Sequence, residues 1–210
     1  MIIETNRRRM PSLRTKALFH FDLDFSDAMG GSWAVHSTGA EPIVQSSGGK
    51  FNGYYHARVS TRGYGNYLEY TGNDSFFDLT EGDFTIDCWI KEVISYMGIY
   101  TTGNVAFSIF NNELRCFINN TSANEISSTI DTTNWTHIAL VYGAPLYYLF
   151  INGIKVAEKT LPAPKAATSH ELCDCYSQNF EICQLNVDEF RIAKGAAWTS
   201  DFVPSDSPYN

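Results

Sequence analysis

Apolar and polar residues alternate over short stretches of this chain, and nowhere do they keep up the 3.6-residue apolar period of a long helix. The clearest stretch is Phe84-Thr85-Ile86-Asp87-Cys88-Trp89-Ile90-Lys91. Read as a strand, it turns Phe84, Ile86, Cys88 and Ile90 towards a core and Thr85, Asp87, Trp89 and Lys91 towards the opposite face, which puts Trp89 on a sheet surface. Similar runs predict strands over 17–22, 54–60, 67–71, 105–110, 114–119, 136–142, 146–151, 154–159, 180–185 and 187–193. Gly63 and Gly65 mark a turn, Asn111-Asn112 closes a hairpin, and Asn186 reads as a break between the last two strands. Asn152-Gly153 is the sharpest turn signal, because a type I′ hairpin needs left-handed backbone at both central residues. About a dozen short strands separated by turns predict an all-β fold, a two-sheet antiparallel jelly-roll sandwich.

A chain of 210 residues suits one such domain with its own core. Aromatics at 14% against only 18% charged residues exclude a disordered, highly charged class. No segment has the apolar length of a membrane span, and no apolar stretch follows the N-terminal arginines as a secretory leader requires. Charge is unevenly placed. Residues 1–16 carry Arg7, Arg8, Arg9, Arg14 and Lys16 against Glu4, a net of +4, which leaves −12 on the remainder of a chain whose total is −8. We read 1–16 as a basic docking arm and 17–210 as the sandwich. The plain alternative is a solvated, frayed terminus; a short polar segment has little to bury and usually needs a partner surface to hold it, either an acidic protein neighbour or another copy. Nucleic acid is disfavoured, because the acidic body repels phosphate.

The five cysteines are an odd number, so at least one has no partner within the chain. Cys88 and Cys116 sit in strand-like runs as small core residues. His170, Cys173, Cys175 and Cys183 could ligate zinc, although Cys-x-Cys is not the usual knuckle spacing; loop or core thiols are the plainer reading. Asp22, Asp24 and Asp27 alternate as calcium ligands could, while Asp residues following a strand more often cap turns. A sugar site needs an aromatic platform beside hydrogen-bonding groups. Trp33, Tyr64, Tyr67, Trp89, Tyr96 and Tyr100 are available, and Trp33, Tyr64, Trp89 and Tyr100 are the carbohydrate-binding candidates. Trp135 and Trp198 read as structural.

The run Val187-Asp188-Glu189-Phe190-Arg191-Ile192 leads into Lys194-Gly195-Ala196-Ala197-Trp198-Thr199-Ser200-Asp201-Phe202-Val203-Pro204. Together with Ala17-Leu18-Phe19-His20-Phe21-Asp22, the segment Gly82 to Ile90, Trp135 to Val141 and the hairpin Phe150 to Gly153, it resembles the laminin-G-like, concanavalin A-like lectin/glucanase superfamily over about residues 17–209. That resemblance implies a sandwich whose first and last strands are neighbours, which would bring Asp22 towards Asp188 as a further calcium candidate. Its members include sugar lectins, glycan-degrading enzymes, calcium-dependent adhesion modules and virion proteins of tailed phages, so the fold alone does not choose a function.

Retaining glucanases of this type carry a Glu-x-Asp-x-x-Glu pattern that holds two carboxyl groups about 5 Å apart. Asp83, Asp87 and Glu92 do not reproduce it, and adjacent Asp188 and Glu189 should point to opposite faces of their strand. The expectation is a non-catalytic virion surface protein, a head decoration, fibre or tail component. It docks to other virion proteins through its arm, is present in many copies or as a homo-oligomer, and binds surface glycans or simply reinforces the particle. It requires no cofactor, with calcium as an option. The alternatives are a free carbohydrate-binding module, or a glycoside hydrolase acting through Asp87 and Glu92.

Overall fold

The computed structural model describes residues 13–36, 43–59, 67–72, 78–94, 96–173 and 183–210. Within them the chain forms β1 (Arg14–Phe19), β2 (Trp33–His36), β3 (Ile43–Gln45), β4 (Tyr54–Val59), β5 (Tyr67–Tyr70), β6 (Phe84–Ile94), β7 (Met97–Thr101) and β8 (Val105–Phe110). There follow β9 (Glu113–Ile118), β10 (Glu125–Thr129), β11 (Thr136–Gly143), β12 (Leu146–Ile151), β13 (Ile154–Thr160), β14 (Glu171–Leu172) and β15 (Cys183–Lys194). Two antiparallel sheets result, as expected. Sheet A runs β13-β12-β11-β6-β15-β4-β3, and sheet B runs β10-β9-β8-β7-β14-β5-β2. No helix among the described residues is long and apolar enough to cross a membrane.

Alternation builds the core. Phe84, Ile86, Cys88 and Ile90 of β6 face Tyr100, Phe107, Ile109, Leu114 and Cys116 of sheet B in one buried cluster. Each large apolar side chain contributes about 1.5 to 3 kcal/mol on burial. The Asn152-Gly153 turn adopts left-handed backbone at both positions (φ 50° and 78°), and so does Asn111-Asn112 (50° and 60°). A Cβ on Gly153 would stand 2.1 Å from the Phe202 carbonyl oxygen, so close approach as well as φ selects glycine there.

The two ends of the domain differ from expectation. The first strand begins at Arg14 and not at residue 17, with Arg14 opposite Lys194 and Phe19 opposite Phe190. Arg14 and Lys16 therefore belong to the sandwich, while Arg7, Arg8 and Arg9 lie outside the described residues. At the other end, Asn186 does not break the chain. Its side chain is satisfied within the sheet, donating to Glu92 Oε2 at 2.9 Å and meeting His56 Nδ1 at 2.6 Å, so β15 continues through it. β4 pairs with residues 183–187 and β1 with residues 190–194 of this one strand. The pairing of β15 with β6 shifts register twice, between Gln184 and Asn186 and between Asp188 and Arg191, where Glu189 takes φ 52° as a bulge.

Candidate functional site

The outer face of sheet A is where β6 was expected to display Trp89. The register is as read, but the exposure is not, because residues 196–209 fold back across this face. Ala197 N donates to Thr85 Oγ1 at 2.9 Å, Phe202 N to the Gly153 carbonyl at 2.9 Å, and Tyr209 N to Glu189 Oε2 at 2.7 Å. Ala197, Trp198 and Phe202 pack on Ala139, Val141, Tyr148 and Phe150, and the Trp198 and Phe202 rings stack at 3.8 Å. Beneath this cover Asp87 is fully buried. Its carboxylate accepts from Arg191 Nε at 2.9 Å, Arg191 Nη2 at 3.2 Å, His137 Nε2 at 3.3 Å and the Tyr209 hydroxyl. Burial alone would push the Asp87 carboxyl up; Arg191 and His137 outweigh it and hold the group below the ordinary aspartate range.

Two of the expected sugar contacts, Trp89 and Tyr100, are buried. Trp89 is only 7% exposed, with the Lys50 ammonium 4.1 Å from its ring centroid and Phe51 edge-on to it. Tyr100 is fully buried in the core, its hydroxyl 2.7 Å from His170 Nδ1. Trp33 is half-buried, donating from Nε1 to Asp27 Oδ2 at 3.2 Å and packed edge-on against Phe19 and Tyr70, and it lines an open cleft with Phe25 and Ser32. Tyr64 lies outside the described residues. The alternative hydrolase pair is also separated, since Asp87 is sealed while Glu92 lines an open cleft beside Asn112 and Thr132.

The expected calcium ligands do not converge. Asp22 Oδ1 accepts from Gly53 N at 3.1 Å, Asp24 Oδ1 from Ser26 N at 2.8 Å, and Asp27 Oδ1 from Leu18 N and Met29 N at 3.0 and 2.9 Å. Asp188 Oδ2 accepts from Lys50 N at 2.8 Å and Phe51 N at 3.2 Å. Asp22 and Asp188 thus clasp one loop at two points, with backbone amides donating to Asp22 Oδ1 and Asp188 Oδ2. Among the described residues no three His, Cys, Asp or Glu side chains gather closely enough to hold a metal ion. Of the zinc candidates, His170 and Cys173 are buried, Cys175 lies outside the described residues, and the Cys183 side chain is likewise undescribed. The bulge overturns the opposite-face reading of Asp188 and Glu189: Glu189 meets Tyr209 N in the tail and His20 Nδ1 at 2.6 Å, on the same side as Asp87.

An open, chemically mixed surface lies on the outer face of sheet B beside β7 and β8. Val105, Phe107 and Ile109 of β8 point inward, so Ala106, Ser108 and Phe110 point outward. Register places Glu69, Glu171, Thr101, Ala106, Phe117 and Glu125 in one row across six strands. A cleft of about 380 Å³ opens along the β7 and β8 part of this face, lined by Tyr96, Thr101, Asn104, Ala106, Asn120, Ser169 and Glu171 among others. Its rim is well held. Gly103 takes φ 73° in the turn between β7 and β8, Asn104 Nδ2 donates to the Ala166 carbonyl at 2.6 Å, and Thr168 N donates to the Thr102 carbonyl at 3.0 Å. Thr101 Oγ1 reaches Glu171 Oε2 at 3.4 Å, and Tyr96 packs edge-on against Phe110 with centroids 6.0 Å apart. The cleft therefore offers an aromatic wall, a small flat floor and a polar rim of amides, hydroxyls and one carboxylate.

Residues 62–198 match the family model of the concanavalin A-like lectin/glucanases superfamily. The chain belongs to that superfamily. Among solved structures, this superfamily member is similar to the binding domain of botulinum neurotoxin DC in complex with rat synaptotagmin II, with TM-score 0.67 and 14% identity over 91% of this chain and 49% of that one. It is similar also to a botulinum neurotoxin type C structure whose cell entry is described as dependent on two ganglioside molecules, with TM-score 0.67 and 13% identity over 88% and 48%. A third is the binding domain of Paraclostridial Mosquitocidal Protein 1, with TM-score 0.65 and 15% identity over 87% and 49%. At these identities the likeness is one of fold, and the chain spans about half the length of each solved chain. No curated protein sequence matches.

Of the cleft residues in this superfamily member, Tyr96 was among the six aromatics available from the sequence. Asn104, Asn120 and Glu171 were not singled out. Gly103-Asn104 and Asn119-Asn120 are visible turn signals, but only the pairing of β14 with β7 brings Glu171 beside Thr101.

Proposed function

We propose that this chain is a non-catalytic carbohydrate-binding module that engages glycans through the cleft on the outer face of sheet B. The observation that carries this reading is the set of Tyr96, Asn104, Asn120, Thr101 and Glu171 around one open cleft. Pyranose rings have apolar faces and polar edges, so an aromatic wall and hydrogen-bonding rim complement them. Two titrating carboxyl groups flanking a scissile bond are not gathered in the cleft lining, which supports binding without cleavage. On a glycan array followed by titration calorimetry, Tyr96→Ala and Glu171→Ala should each weaken the best ligand about tenfold or more, through lost stacking area and a lost charge-assisted hydrogen bond. Unchanged affinity in both variants would overturn the cleft as the site. Release of new reducing ends that stops in Glu171→Gln would overturn the non-catalytic part.

A single sugar site of this size binds weakly, on the order of millimolar, so adhesion calls for many copies. We propose display on a virion surface, with the basic residues before β1 as the tether. What supports this is the charge asymmetry between those residues and the acidic remainder. Because β1 starts at Arg14, the informative deletion is residues 1–12. It should leave the circular dichroism and melting of the body unchanged while abolishing incorporation into particles; incorporation at the full-length level would overturn the tether.

A further inference from the structure

Resting on that reading of the cleft, we infer that it selects uncharged saccharides and rejects acidic ones, those bearing sialic acid, uronic acid or sulfate. Glu171 is the charged group in the lining, and among the described residues no Lys or Arg lines the cleft. Glu69 stands directly opposite Glu171 on β5, adding a second carboxylate to the same row without lining the cleft itself. Its partner is His36 Nε2 at 2.7 Å. On this face the Arg115 guanidinium is already committed: Nε lies 2.6 Å from Glu125 Oε1 and 3.6 Å from Glu113 Oε2, and the group sits over the Phe110 and Phe117 rings. Lys165, whose backbone N–H donates to Asn119 Oδ1, is not among the residues lining the cleft. An acidic sugar would bring its charge next to Glu171 with no cation to meet it. Like charges juxtaposed at an interface act against binding, and they act most strongly when salt is low.

The test is a glycan array, followed by titration of the best hits, in which each neutral oligosaccharide is paired with its sialylated, uronate or sulfated counterpart on the same core. Neutral members should bind, and acidic counterparts should bind at least about tenfold more weakly, the gap narrowing as salt is raised through the range where the screening length falls from about 30 to about 3 Å. Glu69→Gln should raise affinity for the acidic members several-fold while leaving the neutral ones unchanged, since Glu69 does not line the cleft. Equal binding of neutral and acidic partners, with no salt dependence, overturns this inference alone. Binding of neither class overturns the cleft as a glycan site, and the inference with it.

Discussion

Replacing Arg191 by Ala should lower the folding free energy by about 3 to 5 kcal/mol, because it leaves a fully buried carboxylate without its cation. Asp87 has no exposed surface, and its two oxygens are met by Arg191, His137 and Tyr209. Arg191 does more than neutralise charge. Its guanidinium lies 3.9 Å from the Tyr209 ring centroid and 5.8 Å from that of Trp198, so the same side chain braces the tail over the sheet. Burial pushes the Tyr209 hydroxyl far above its ordinary value, and the Asp87 charge adds to this, so the hydroxyl stays a donor throughout the accessible pH range. Equilibrium urea unfolding should show the loss as a lower midpoint at unchanged slope. Without Arg191, burial should raise the Asp87 carboxyl, so the deficit should shrink as pH falls and the acid takes up a proton. The double variant Asp87→Leu with Arg191→Met removes both charges together and should lose much less than Arg191→Ala. A loss below about 1 kcal/mol in the single variant would mean that the buried ion pair is not what holds this face.

How much of this was legible in the sequence depends on how far apart the interacting residues lie. The alternation of β6 gave the correct core residues, Phe84, Ile86, Cys88 and Ile90, because period-two patterning is local. It could not reveal that the other face is also dry. That cover comes from Trp198, Phe202 and Tyr209, which reach β6 only after the chain has closed the sheet. Asn186 looked like a strand breaker, yet His56 and Glu92 satisfy its amide and the strand continues through a register shift there; a second shift sits at Glu189, where no glycine announces it. The strands missed altogether, β2, β3, β7, β10 and β14, are two to five residues long, too short for alternation to stand out. The cleft was illegible for the same reason. Tyr96, just before β7, and Glu171 of β14 come to one cleft through the pairing of those strands, which is fixed by the global sheet order and by nothing in either segment.

Asp188 gives the other large effect, and its sign is the reverse of the usual carboxylate. The loop Gly48-Gly49-Lys50-Phe51-Asn52-Gly53 folds tightly over it: a Cβ on Gly49 would lie 1.8 Å from the Gly53 carbonyl oxygen and 2.9 Å from Asp188 Oδ2. Lys50 lends its backbone N–H to Oδ2 but places its ammonium on the Trp89 ring. Oδ1 is buried and accepts no hydrogen bond among the described residues. Burial therefore dominates, the neighbouring Glu189 charge adds to it, and the backbone donors only partly offset them, leaving the carboxyl pushed up to about 7. The folded chain then holds this proton up to near neutrality, whereas the unfolded chain releases it near pH 4. Between those values the folded state binds more protons than the unfolded one, so this group's contribution to stability is intact below about pH 4 and is lost as pH rises towards about 7. Asp188→Asn keeps an acceptor for the Lys50 and Phe51 amides but cannot ionise. Unfolding free energies measured in urea across pH 4 to 8 should show wild type losing ground to this variant by on the order of 2 to 4 kcal/mol as pH rises, since each unit of pKa displacement corresponds to about 1.4 kcal/mol. The buried ion pair at Asp87 is common to both chains and cancels in that difference. A difference that stays flat with pH, or that grows in favour of wild type, would mean that Asp188 is ionised in the folded state at an ordinary pKa and that the loop above it is open to water.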